Sequence, residues 1–247
     1  MILTKNFNMY KKKVCVILPC YRVKHKIYTV YKKLIKTKID CLIFVDDKCP
    51  QNSVEYLKSK TKINKKVQFI FLKKNLGVGG ATLKGFKSAQ NQGFDLLIKF
   101  DADNQHKVLD LMNIIKKLNQ ENILFCKGYR NLNFKDSFKR GMPLIRILGA
   151  NVLTFISNIT TNNFDTRDVT NGLFGMKSEV LKKINLINLK KNYFFEQDLV
   201  FNISKKKIKI HQINSEVIYD NETSSLNILK SIIPFLVYHF QNILKRL

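Results

Sequence analysis

Five short apolar runs punctuate the first half of the chain: VCVILP (14–19), CLIFVDD (41–47), VQFIFL (67–72), LLIKFD (96–101) and ILFCKG (123–128). Each is bounded by polar or turn residues and lacks strict alternation, the pattern of strands buried on both faces. The segments between them step at helical spacing: Ile27, Val30, Tyr31 and Leu34, then roughly 78–91, then Leu109, Met112, Ile115 and Leu118. Strand and helix in alternation predict an α/β domain with a mostly parallel central sheet and helices on both faces. In such sheets ligands bind beyond the carboxyl ends of the strands. Those ends read LPCY, VDDKCP, LKKNLG, FDADNQH and KGYR, and four of the five carry polar groups suited to a nucleotide and its metal.

The second half is less regular. A helix is expected over about 142–158, a strand at NGLFGM, a helix after YFFEQD, and a period-two stretch in IKIHQINSEVIY. No repeat or Pro/Gly/Ser-rich linker divides it, so residues 1–247 are read as a single domain with a catalytic body over about 13–220. The final segment, about 221–247, is amphipathic, with Pro234 in its middle and basic residues at its end, which suits packing on the body or lying on a membrane surface.

Charge narrows the partners. Forty-four Lys and Arg against eighteen Asp and Glu give a formal charge of +26, which attracts phosphate as nucleotide, nucleic acid or lipid headgroup. The lysines are scattered through a chain also rich in Asn and Ile, so residue usage accounts for part of the excess. Five cysteines without a CxxC pair indicate neither a disulfide framework nor a zinc site. No run of about eighteen apolar residues and no signal-peptide pattern are present, which makes the expected location cytoplasmic.

The strand LLIKFD runs into Asp101 and Asp103, two hard carboxylates that repel each other unless a cation neutralises them. Mg²⁺ or Mn²⁺ gripping a diphosphate does so, and would stabilise a departing nucleoside diphosphate. A solvated turn with an aspartate capping the next helix is the plainer alternative. In NLGVGGATLKG, Gly79 and Gly80 open a helix and allow either close approach to a phosphate or tight helix packing.

The succession VILPCYRV, IFVDDKCPQNS, KNLGVGGATLKGFKSAQNQGFD, IKFDADNQH, KGYRN, MPLIRILGAN, DVTNGLFGM and YFFEQDLVFNI resembles, in order and spacing, the family 2 glycosyltransferases. The likeness covers about residues 13–230 and is strongest to the branch containing dolichol-phosphate mannose synthase and bacterial polysaccharide transferases. It implies the GT-A fold, the Rossmann-like fold of nucleotide-diphospho-sugar transferases.

The resemblance also implies roles. Pro19 and Tyr21 would contact the nucleotide base, although Arg22 and Val23 replace the family's usual Asn and Glu. Asp47, in preference to Asp46, would meet the base or ribose, and Gly79, Gly80 and Asp101 would also line the donor site. Asp101, Asp103 and Gln105 would hold the metal and diphosphate, while Asn104 and Lys107 depart from the commoner residues. Arg130 and Arg146 would face an acceptor phosphate, with Arg140 close enough to be the counterpart of Arg146. Glu196 and Asp198, two residues apart on a helix, point about 200° from one another, so they serve different tasks.

The expected activity is metal-dependent, inverting transfer from a UDP- or GDP-sugar to a polyprenyl phosphate or lipid-linked glycan, with peripheral contact to an anionic membrane. A glycan hydroxyl is the alternative acceptor and would require one of the two carboxylates as a base. No nucleic-acid partner is expected, because no RNP-like, zinc-finger or helix-turn-helix signature accompanies the charge. A sugar nucleotidyltransferase would carry a glycine-rich basic loop after the first strand, where this chain has PCYRVKHK.

Overall fold

The computed structural model describes residues 12–62, 64–139, 141–216 and 228–244. The elements run β1 (Val14–Cys20), α1 (Lys24–Leu34), β2 (Cys41–Asp46), α2 (Ser53–Lys60), β3 (Val67–Phe71), α3 (Gly77–Asn91), β4 (Leu96–Lys99), α4 (Val108–Leu118) and β5 (Phe125–Tyr129). They continue with α5 (Phe134–Lys139), α6 (Leu144–Thr161), β6 (Phe174–Lys177), α7 (Glu179–Lys183), α8 (Phe195–Lys205), β7 (Ile210–Asn214) and α9 (Ile228–Leu244).

Seven strands form one sheet in the order β3-β2-β1-β4-β6-β5-β7. All neighbours are parallel except β6, which runs antiparallel to β4 and β5. This is the α/β, mostly parallel GT-A arrangement expected. Strand alternation divides the apolar side chains between two layers: Val14, Val16 and Leu18 meet α1, α2 and α4, while Cys15 and Ile17 meet the layer of α3, α7 and α8. Burial on both faces is why the inner strands β1, β2 and β4 read as continuous apolar runs, whereas the edge strands β3 and β7 are half-buried.

The reversed direction of β6 matters for the site. Its amino end lies at the same sheet edge as the carboxyl ends of β4 and β5, so residues 168–173 are delivered to that edge. Phe174 pairs with Lys99 of β4 on one side and Lys127 of β5 on the other.

Two helical expectations need correction. The buried stripe of α4 is Leu111, Ile114, Ile115 and Leu118, whereas Leu109 is 67% exposed, because a strict step of three drifts around a 3.6-residue turn. α6 is long and apolar enough by length and composition to cross a membrane, with mean hydropathy 1.3. Its Arg, Asn, Ser and Thr interrupt the apolar run and mask that property in the sequence. The period-two stretch forms β7, and its continuation beyond residue 216 lies outside the described residues, as do Arg140 and residues 217–227 of the C-terminal segment. α9 packs Phe235, Tyr238, His239 and Asn242 inward and leaves Leu236, Val237 and Phe240 outward.

Candidate active site

A lysine is buried in the last position of β4. Lys99 is 1% exposed, and its ammonium finds three partners: Asp101 Oδ1 at 2.8 Å, Glu196 Oε1 at 3.0 Å and the carbonyl of Gly172 at 3.1 Å. Such a charge persists inside a protein only when it is paired. Burial works against the charged form of Lys99, but Asp101 and Glu196 outweigh it and raise its pKa. Burial likewise opposes ionisation of Asp101, yet Lys99 and His106 hold its carboxyl below the usual range. His106 Nε2 lies 3.3 Å from Asp101 Oδ2, its ring packs against Phe100, and its Nδ1 is buried without a partner among the described residues.

Asp103 follows two residues on. Its Oδ1 accepts from the Gln105 backbone at 3.0 Å, and burial, then the charge of Asp101, push its carboxyl pKa up. A cation between the two aspartates would relieve that repulsion. Among the described residues no group of three or more His, Cys, Asp or Glu is arranged to hold a metal. Two carboxylates are nonetheless the usual protein share for Mg²⁺ that also binds substrate phosphates and water, so the donor set fits a diphosphate-bound ion.

A second cluster adjoins the first. Arg130, just past β5, is buried and grips Asp168 through Nε to Oδ2 at 2.7 Å and Nη2 to Oδ1 at 3.1 Å, and Nη2 also donates to the Thr170 hydroxyl at 2.6 Å. Asp168 is fully buried; burial disfavours its charge, but Arg130 and Lys127 hold its pKa well below the ordinary value. Lys127 donates to the carbonyls of Asp168, Asn171 and Gly128, and burial lowers its pKa to about 8. Gly172 joins the clusters: a Cβ there would stand 2.7 Å from Lys99 Nζ and closer still to Asp101.

The two acidic residues of α8 part company. Glu196 turns to Lys99 and the Asp101 cluster. Asp198 turns to α9, where it accepts from the Tyr238 hydroxyl at 2.7 Å and from the Lys190 backbone at 2.7 Å. It therefore works as a strut for the C-terminal helix.

Other expected residues take different places. Gly79 and Gly80 donate their N–H groups to the Lys191 carbonyl at 2.9 and 3.3 Å, and a Cβ on Gly79 would meet the Phe195 ring at 2.6 Å. The absent side chain of Gly79 lets α3 pack on α8, that of Gly80 leaves room for the Leu76 side chain, and both amides are spent on protein. At the end of β2, Asp47 Oδ1 accepts from Leu76 N at 2.6 Å, whereas Asp46 Oδ2 is buried without a partner among the described residues. That orphan oxygen leaves Asp46 an unused acceptor at the carboxyl edge of the sheet, whereas an oxygen of Asp47 is spent on the Leu76 amide. Pro19 is the penultimate residue of β1, and Tyr21, 42% exposed beside the Arg22 guanidinium, stands at the same edge. Arg146 lies in the first turn of α6, half-buried.

Lys99, Lys127, Asp168 and Gly172 carry no assignment from the sequence alone. The available signal was a lysine inside each of two apolar strand runs, since a buried ammonium implies acidic or carbonyl partners elsewhere in the chain.

A sheet of this order with paired aspartates at its carboxyl edge defines a nucleotide-sugar transferase of the GT-A type. The chain belongs to glycosyl transferase family 2, whose sequence model matches residues 15–185. It is 29% identical over 223 residues to the UDP-N-acetylglucosamine–dolichyl-phosphate N-acetylglucosaminyltransferase of Methanococcus voltae, spanning 85% of this chain and 88% of that one. It is 22% identical over 182 residues to the undecaprenyl-phosphate mannosyltransferase of Micrococcus luteus, spanning 70% and 69%. Among solved structures it resembles glucosyl-3-phosphoglycerate synthase of Mycobacterium tuberculosis in complex with Mg²⁺ and uridine diphosphate, with TM-score 0.68 and 14% identity over 92% of this chain and 79% of that one. At that identity the likeness is one of fold.

Proposed function

We propose that this family 2 glycosyltransferase moves a sugar from a nucleoside diphosphate donor to a polyprenyl phosphate at the cytoplasmic face of a membrane. The observation that carries the reading is the engagement of both α8 carboxylates: Glu196 by Lys99, and Asp198 by Tyr238 and Lys190. A sugar hydroxyl needs its proton removed as it attacks, whereas a phosphate oxygen is already ionised. The relatives that act on dolichyl phosphate and undecaprenyl phosphate support the same acceptor class.

Asp101 and Asp103, with Gln105 beside them, would hold a divalent metal, which supplies charge stabilisation to the leaving diphosphate. Lys99 holds Asp101 in position from behind. Asp46 and Asp47 would take the base and ribose, and Tyr21 can stack on the base. The Arg130–Asp168–Thr170 cluster fixes the wall where the acceptor phosphate would enter. Inversion follows from a single in-line attack of the phosphate oxygen at the anomeric carbon, with the nucleoside diphosphate leaving from the opposite side.

Purified protein with Mn²⁺ or Mg²⁺ and a panel of UDP- and GDP-sugars tests this, offered either a short-chain polyprenyl phosphate or an oligosaccharide. Glycosylation of the lipid phosphate is expected, with transfer lost and the fold kept in Asp103→Ala. Glycosylation of the oligosaccharide alone would overturn the acceptor assignment.

A further inference from the structure

Most of the exposed large apolar side chains among the described residues lie on three helices that pack together: α5, α6 and α9. On α6 the outward stripe comprises Leu144, Ile145, Leu148, Val152, Phe155 and Ile159, each between 43% and 62% exposed. α5 adds Phe134 and Phe138 beside it, and α9 adds Leu236, Val237 and Phe240. Scattered apolar residues are ordinary on a protein surface, but a continuous field of this kind marks an interaction face.

We propose that the joined outer faces of α5, α6 and α9 form a monotopic docking surface for an anionic lipid bilayer, with α6 lying in the plane of the membrane. The proposal rests on the lipid-acceptor reading above and adds where and how the protein meets the lipid. Charge favours that occupant: α6 carries no charged residue except Arg146, while exposed Lys135 comes from α5 and exposed Lys190 and Lys191 from the segment preceding α8, a helix that packs on α6. An apolar stripe with cations on the adjoining elements suits acyl chains below anionic headgroups.

The inner face of α6 fixes the in-plane orientation. Asn158 donates its amide to the Thr166 carbonyl at 2.9 Å, Thr154 Oγ1 accepts from Val169 N at 3.2 Å, and Thr160 Oγ1 meets His239 Nδ1 at 2.8 Å. A helix crossing the bilayer would give up these bonds and place Thr, Ser and Asn in hydrocarbon. Two of the bonds reach the segment that carries Asp168, the partner of Arg130. The docking surface and the wall of the active site are thus held by one helix, and a lipid phosphate at headgroup depth would arrive beside that wall.

The test uses the full chain with vesicles of phosphatidylcholine and phosphatidylglycerol. Leu148→Glu, Phe155→Glu and Phe240→Glu change only outward side chains, and unchanged thermal melting confirms intact folds. Each is expected to weaken vesicle binding by about tenfold or more, while transfer to a short-chain, water-soluble polyprenyl phosphate is unchanged. The chain contains no tryptophan, so Phe155→Trp installs a single reporter whose emission should shift to the blue and be quenched by brominated lipid. Glutamate variants that bind vesicles like the wild type, or an indole in Phe155→Trp that stays in water, would overturn the docking surface even where transfer to the soluble acceptor persists. A dimer in sedimentation that Leu148→Glu dissociates, with vesicle binding unaltered, would overturn it in favour of a second copy. Failure to glycosylate the soluble lipid phosphate, with vesicle binding still following the apolar face, refutes the acceptor reading and upholds the surface.

Discussion

Lys99 Nζ lies 3.0 Å from Oε1 of Glu196, joining the last residue of β4 to the first turn of α8. The same ammonium is 2.8 Å from Asp101. One buried cation therefore sets the spacing of two carboxylates at the heart of the site.

Replacing that cation leaves two negative groups facing each other. Lys99→Met is expected to cost about 3 kcal/mol in urea unfolding, since breaking a buried pair strands the remaining charge. Transfer should fall at least about tenfold because Asp101 loses its support. Adding Glu196→Gln should recover part of the stability and little of the transfer. A double variant no more stable than Lys99→Met would show that the two residues are not coupled.

Gly172→Ala tests the closeness of the two clusters. A methyl group there meets Lys99 Nζ at 2.7 Å and crowds Asp101, so the aspartate must move. Transfer and metal-dependent donor binding should both drop, by about tenfold or more for a displacement near 1 Å. Parallel measurements of melting temperature and donor affinity decide the point: unchanged donor binding would mean that Asp101 can shift without consequence.

The sheet was legible because β1, β2, β4 and most of β5 are buried on both faces and so read as unbroken apolar runs, while the half-buried edge strand β3 keeps the same apolar character. The placement of Asp101 and Asp103 at the carboxyl edge of the sheet was legible because they directly follow the apolar run of β4. The order of the strands was not, since nothing local tells β6 to slip between β4 and β5. For the same reason the partners of Lys99 and Lys127 stayed hidden: Glu196, Asp168 and Gly172 are brought to them by tertiary pairing alone. Gly79 and Gly80 show the converse limit. A glycine tolerates close approach by anything, and whether a phosphate or a side chain, Phe195 at Gly79 and Leu76 at Gly80, fills the space is decided by the fold.

Arg130 and Asp168 should leave a signature in acid. The folded pKa of Asp168 is held below its ordinary value, so its stabilising contribution is fully present above a pH of about 4 and is lost as pH falls through the lower folded value. Asp168→Asn is expected to cost about 3 kcal/mol at neutral pH by leaving the Arg130 charge buried and unmatched. That cost should shrink as the wild type is acidified. Urea titrations across acidic pH compare the two proteins, and a cost independent of pH would show that the carboxylate is not ionised in the fold.

His239 gives α9 a pH dependence of its own. The ring is buried beside Phe235 and Tyr238, with Nδ1 at 2.8 Å from the Thr160 hydroxyl, and burial lowers its pKa from 6.5 to about 4. The unfolded or undocked helix binds a proton more readily than the docked one over that interval. Docking is therefore at full strength above about pH 6.5 and weakens as pH falls toward 4, by up to about 3 kcal/mol. His239→Gln can keep a partner for Thr160 without titrating, so its helix should stay docked through the same range. Amide hydrogen exchange of residues 235–244 measures this directly, after correction for the intrinsic pH dependence of exchange. Faster wild-type exchange at pH 5 than at pH 7, with the variant unchanged, is the expected result. Equal protection of the wild type at both values would mean that docking leaves the proton affinity of His239 unchanged.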